Sequence, residues 1–275
     1  MKKIYFALMC MASFTLMTAC GGDKKSDSKD VDNDDQEELV QNDEDADDGF
    51  VSDEGMDQNV NDEGADPALA APVDLTTLYA TGDFKPAANV LFLDSVGDEK
   101  VSEFPSKWDL KDGSAEVVQI GSRKVIQLSG GDATIAPVIN GGSNDYLPET
   151  FTVEFEYYCN GENMGAYYYL QFFNENDDHI GELFLNTRND LSWWFDKTND
   201  ERVDGNAGID NIEKKNAWNH LAISYDKGSV KAFINGKRVA NMPGVVALKN
   251  FKIHAWPADN DNRYLFTNIR VTTGA

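Results

Sequence analysis

The stretch 217–240, AWNHLAISYDKGSVKAFINGKRVA, alternates apolar and polar residues with a period of two and breaks that alternation at two short turns. Successive side chains on a strand point to opposite faces, so Leu221, Ile223 and Tyr225 share one face and His220, Ala222 and Ser224 the other. Residues 226–229 turn the chain, and Val230, Ala232 and Ile234 bring it back. Asn235-Gly236 then supplies the positive φ angles of a type I′ turn, whose twist suits a tight hairpin. The segment reads as a three-stranded meander, and nothing in it needs a chemical role.

The same grammar runs from about Asn89 to the end. Short runs such as VLFLD, AEVVQI, RKVIQLSG, TFTVEFEYYC, AYYYLQFF, IGELFLN, LSWWF, FKIHAW and YLFTNIRV are rich in β-branched or aromatic residues and are separated by turn formers. No window holds a helical stripe. Many short strands without helical crossovers predict an all-β fold, an antiparallel jelly-roll β-sandwich occupying residues 85–275, long enough to bury a sizeable core as one domain. In FTVEFEYY, Phe151, Val153, Phe155 and Tyr157 are the expected core face, and Thr152, Glu154 and Glu156 the expected solvated face.

The first part of the chain is different in kind. Residues 1–19 form a secretory signal: basic Lys2 and Lys3, an apolar run to Met17, then Thr18-Ala19 before Cys20. The run is too short to span a bilayer as a mature helix. A cysteine directly after such a site resembles the lipobox of bacterial lipoproteins, although Met17 stands where leucine is usual. That resemblance implies a lipidated Cys20, and Gly21 in place of an aspartate implies the outer membrane. Residues 20–84 are expected to be the lipidated cysteine and a disordered linker. Their Asp- and Glu-rich run carries most of the chain's formal net charge of −24, cannot bury enough apolar surface to offset its ordering entropy, and argues against nucleic acid as a partner. Acidic residues just after the lipidated cysteine also resemble an export signal to the external face. With Cys10 in the signal and Cys20 acylated, Cys159 remains as a small buried hydrophobe and no intrachain disulfide framework is expected.

The meander also carries a resemblance. Its Trp218-Asn219-His220 opening, hairpin and Asn235-Gly236 turn are similar to the central signature of laminin-G-like domains in the concanavalin A-like lectin and glucanase superfamily. With VLFLDSVGDEKVSEFPSKWDL, YLPETFTVEFEYY and YLFTNIRVTTGA, the pattern over about 84–275 resembles the module that precedes OmpA-like domains in some outer-membrane proteins. The resemblance implies a jelly roll that binds a glycan or a protein, with a rim that often takes Ca²⁺.

Candidate chemistry follows from where side chains share a face. Tyr167, Tyr169 and Gln171 share one, and Trp194 shares one with Ser192; rings beside amides and hydroxyls make a platform for sugar, whose apolar faces stack and whose hydroxyls hydrogen-bond. Trp193 is expected inward with Leu191 and Phe195. Glu154 and Glu156, two apart on one strand, are the alternative catalytic pair of a glycoside hydrolase, but VEFEYY lacks the central Asp and third carboxylate of the superfamily's glucanase motif. His179, His220 and His254 have no carboxylate or cysteine at ligand spacing. No cofactor is called for. Ca²⁺ stays open as the alternative, through Asp259 and Asp261 or through residues 174–178, whose oxygens ordinary turn chemistry equally explains. The reading is a non-catalytic outer-membrane lipoprotein that binds a glycan or an envelope protein. The alternatives are the hydrolase and a purely structural envelope component.

Overall fold

The computed structural model describes residues 66–159, 167–186, 190–256 and 264–274. The signal, Cys20, the acidic run up to residue 65, and Asp259 and Asp261 lie outside these described residues.

The described residues begin with one short helix, α1 (Leu75–Thr81), and continue as strands β1 (Asn89–Asp94), β2 (Trp108–Ile120), β3 (Arg123–Pro137) and β4 (Thr150–Cys159). Next come β5 (Tyr167–Phe173), β6 (His179–Asn186), β7 (Asp190–Asp196), β8 (Arg202–Gly208) and β9 (Ala217–Asp226). The last are β10 (Ser229–Ile234), β11 (Lys237–Pro243), β12 (Asn250–Trp256) and β13 (Tyr264–Thr273). Pairing is antiparallel throughout, in the order β11-β10-β9-β4-β13-β3-β12-β5-β6-β7-β8, with β1 on β13 and β2 on β3.

The long strand β3 turns this ribbon into a sandwich. Its residues 126–128 pair with Tyr264–Phe266 of β13, whereas Ala133–Ile135 pair with β12. The first half therefore belongs to one layer and the second half to the other, with the β2–β3 hairpin bending through the corner. Gly113 sits at that bend with φ +67°, and a Cβ there would lie 2.1 Å from the carbonyl oxygen of Asp132, so no side chain fits. The layers face each other through aromatic contacts: Phe151 to Phe172 at 6.5 Å, Tyr157 to Tyr168 at 5.6 Å and Trp108 to Phe266 at 6.2 Å between ring centroids.

The meander forms as its alternation predicts. Leu221, Ile223, Val230, Ala232 and Ile234 are buried in the main core, and Asn235 and Gly236 take φ of 47° and 78°. Residues 66–84 depart from the expectation of a disordered linker. They cross the outer face of β4, β9 and β10: Val73 and Ala70 pack on Trp218 and Tyr158, and Leu78 and Phe84 are buried with Ala222 and Phe233. Within this segment Asp74 caps α1, its carboxylate accepting from the Thr77 amide at 3.1 Å and the Thr77 hydroxyl at 2.7 Å.

Candidate functional site

The outer face of the second layer is partly exposed among the described residues, and its composition follows from alternation. Tyr168, Leu170, Phe172, Leu183, Leu185, Leu191, Phe195, Ile253 and Ala255 fill the core, which turns their odd-numbered or even-numbered neighbours outward. Strand register then sets the rows. His254, Tyr169, Phe184, Ser192 and Asn206 are consecutive cross-strand partners, with Thr134 pairing to His254 at the corner. The next row is Lys252, Gln171, Glu182, Trp194 and Asp204, and Trp256 opposes Tyr167 on the other side.

The rings make a continuous band. Trp256 lies 6.0 Å from Tyr167, Tyr167 lies 6.1 Å from Tyr169, and Tyr169 stacks on Phe184 at 5.5 Å and meets His254 at 5.0 Å. The tyrosines and Phe184 are half-buried, and Trp256 is 46% exposed. Beside the band, Glu182 accepts from Trp194 Nε1 at 2.8 Å and from Gln171 Nε2 at 3.3 Å, and His179 Nε2 lies 3.4 Å from it. The Arg202 guanidinium sits 4.0 Å above the Trp194 ring and covers one side of it. Thr134 and His254 share a hydrogen bond of 2.8 Å.

Burial sets the ionisation of this face. It pushes the Tyr169 hydroxyl up to about 12, reinforced by the Glu182 charge. It holds both His254 and His179 below the usual histidine value, against the pull of nearby carboxylates including Glu182. Near neutral pH the band is therefore uncharged rings edged by hydrogen-bonding groups.

Of the residues proposed from sequence, Tyr167, Tyr169, Gln171 and Trp194 all lie on this face. Trp193 packs against the core beside Leu191 and Phe195. Sequence reasoning missed Glu182, Phe184, His254 and Trp256, although the alternation of IGELFLN and FKIHAW already placed each pair on a common face.

Glu154 and Glu156 correct the expectation of a solvated face. They are 2% and 1% exposed, because residues 66–84 lie over them. Glu154 Oε2 accepts from the Tyr79 hydroxyl at 2.7 Å and lies 2.8 Å from His220 Nε2. Glu156 accepts from Arg123 at 2.7 Å, Asn268 at 2.5 Å and the Val73 amide at 3.4 Å. Both carboxylates are thus covered from solvent.

The oxygens of residues 174–178 serve their own turn. Asn174 Oδ1 accepts from the amides of Asn176 and Asp178 at 2.9 and 3.0 Å, and Asp177 pairs with Lys252 at 2.9 Å. Among the described residues no group of three or more His, Cys, Asp or Glu is placed to hold a metal ion.

Comparison with known proteins places the fold. The family model of the concanavalin A-like lectin/glucanases superfamily, of laminin G type, matches residues 129–267. Among solved structures, a sialidase aligns with a TM-score of 0.48 and 14% identity over 68% of this chain, which spans 19% of the sialidase. The carbohydrate binding module CBM66 from Bacillus subtilis aligns at 0.45 and 14% identity over 62% of this chain and 100% of its own. LamAcat from Zobellia galactanivorans aligns at 0.48 and 12% identity over 67% of this chain and 98% of its own. No curated protein matches the chain.

Proposed function

Because the chain belongs to the concanavalin A-like lectin/glucanase superfamily, we propose that it is a non-catalytic, lipid-anchored outer-membrane protein whose sandwich holds a glycan on the open face of the second layer. The observation that carries the reading is the aromatic band from Trp256 through Tyr167 and Tyr169 to Phe184, half-exposed and edged by Gln171, Glu182, Ser192 and Asn206. Half-exposed rings in a row offer flat apolar surface to pyranose faces, and the edging amides and carboxylate meet equatorial hydroxyls. Strands are spaced about 4.8 Å apart, so a band crossing three strands spans about two sugar units.

The anchor rests on sequence: a signal over residues 1–19 with Cys20 directly after it, then Gly21 and an acidic run between lipid and sandwich. Several acyl chains on one residue bury far more apolar surface than a single chain, whose binding is marginal. The hydrolase alternative lacks a motif: beside Glu154 and Glu156, VEFEYY has neither the central Asp nor the third carboxylate of the superfamily's glucanases.

A glycan array probed with the mature chain, with Ca²⁺ and with chelator, tests the binding. We expect retention of neutral glycans under both conditions and its loss in Tyr169→Ala. Retention unchanged by Tyr169→Ala and Trp194→Ala would remove the site, and absence of acyl mass at the mature amino terminus would remove the anchor.

A further inference from the structure

The first layer has an outer face too, and its cover is chemically odd. We propose that this face, built on Glu154, Glu156, His220 and Trp218, is a second oligosaccharide-binding surface over which residues 66–87 lie as a displaceable cover. The inference does not depend on the band of the second layer.

The cover is attached without entering the sheet. Its backbone reaches the sandwich through Asp83 and Phe84, whose amides both donate to the Gly236 carbonyl at 2.7 and 3.2 Å, and through Ala87, which donates to the Thr272 hydroxyl at 2.9 Å. Side chains add the Tyr79 hydroxyl on Glu154, the Val73 amide on Glu156 and the Asp83 carboxylate, which accepts from the Arg238 amide at 3.3 Å. Segments held by a few side-chain and end contacts open at lower free energy than paired strands.

What lies beneath is polar, and a permanently sealed face is better made apolar, since desolvated charge is costly unless fully paired. Here the pairing is incomplete. Glu154 Oε1, His220 Nδ1, Arg123 Nη1 and Trp218 Nε1 are buried with no hydrogen-bond partner, and Arg270 approaches Glu154 Oε1 no closer than 4.0 Å. Glu154 and His220 are each at least nine-tenths buried, at 2% and 1% exposure. The set mixes an acceptor, two donors and an imidazole nitrogen that serves as either, and a hydroxyl, which donates and accepts at once, answers all of them. Tyr79 already shows the match: its O–H occupies Glu154 as a sugar O–H would. The rings of Tyr158 and Trp218, 5.5 Å apart, supply the apolar surface beside it. Along the edge of the cover runs a cavity of about 540 Å³ lined by Val73, Thr77, Asn216, Trp218 and Asn235, within the range of small-ligand sites.

If cover and sugar compete, the apparent affinity scales with the fraction of molecules that are open. Two measurements on the mature chain decide the matter. Native-state hydrogen exchange should show the amides of Phe84 and Ala87 opening well before those of β9; exchange only with global unfolding would overturn the proposal. Calorimetric titration with maltotriose, cellotriose and chitotriose would use Tyr169→Ala/Trp194→Ala, which silences the other face, with and without Leu78→Ala/Tyr79→Phe in the cover. Opening a cover that is closed nine-tenths of the time should tighten binding about tenfold. Adding Glu154→Gln and Glu156→Gln should abolish the gain. A loosened cover with no gain, or a gain that survives both glutamine changes, would refute it, whereas failure of the band alone would appear as unchanged binding on Tyr169→Ala in the otherwise native chain.

Discussion

Replacing Glu156 by alanine tests directly whether its carboxylate is a buried structural charge. The side chain accepts from Arg123, Asn268 and the Val73 amide and is almost wholly buried, so truncation strands the Arg123 guanidinium and leaves Asn268 without its acceptor. Breaking a buried pair by removing one partner costs about 3–5 kcal/mol. Arg123 keeps 20% of its side chain in contact with solvent, which places the expected loss at the lower end, about 3 kcal/mol. In a domain of this size each kcal/mol moves the melting temperature by about 2–4 °C, so Glu156→Ala should lower Tm by about 6–12 °C. Circular dichroism melts of the mature chain measure it, with Glu103→Ala, 60% exposed, as the reference. Exposed substitutions usually stay within about 0.5 kcal/mol. Glu156→Gln keeps the acceptor for Asn268 while removing the charge, and should fall between the two. A Glu156→Ala melt indistinguishable from Glu103→Ala would mean that the carboxylate is solvated and the cover over it is not packed.

Three further outcomes follow from the same contacts. Burial lowers the folded-state values of His254 and His179 below 6.5, so the unfolded chain takes up protons first, and the stability present above that value should be lost as pH falls; melts near pH 7 and pH 5 check this, and His254→Gln should flatten the slope. Glu213 behaves oppositely: burial raises its carboxyl above 4.5 despite the Tyr157 hydroxyl at 2.6 Å, so its contribution is whole at acid pH and is lost as pH rises, and Glu213→Gln should raise Tm near pH 8 but not near pH 4. Gly113→Ala, which forces a Cβ against the Asp132 carbonyl at a positive φ, should cost on the order of 2 kcal/mol or more in urea titration and loosen the β2–β3 corner.

Much of the sandwich was legible because alternation is a local property. The core faces of β4 and β9, the turn at Asn235-Gly236 and the inward Leu191 and Phe195 need only the period of two and the φ preferences of two residues. What alternation cannot give is what lies over the other face. It placed Thr152, Glu154 and Glu156 outward, and polar residues on an outward face read as solvated; the contacts that bury the two glutamates come from residues 75 and 83 positions earlier, beyond the reach of any local pattern. That segment was itself hard to see, since a helix as short as Leu75–Thr81 shows barely two turns of periodicity, and its signal reduces to Asp74 ahead of Thr76 and Thr77. The open face was half legible. Tyr167, Tyr169 and Gln171 group by spacing on one strand, but Phe184 and His254 join them through register, which depends on pairing between strands that the sequence does not order.

The contrast between the two outer faces argues for where a ligand goes. On the second layer Trp194 has Glu182 and His254 has Thr134 as polar partners, and Tyr169 and Phe184 stack on each other while staying half in water. Such a face is stable as it stands and offers spare ring surface and spare hydrogen-bonding capacity to a glycan without prior rearrangement, so little binding energy is lost to reorganisation. On the first layer Phe233, Ala222 and Trp218 are apolar surface that water would not tolerate, set among charges that apolar cover cannot satisfy. Residues 66–84 resolve the first problem and leave the second partly open. An open face with satisfied groups is built to be occupied from solution, whereas a covered face with unsatisfied ones is built to exchange one occupant for another, and the two can be told apart by whether affinity follows Tyr169 or the docking of Phe84.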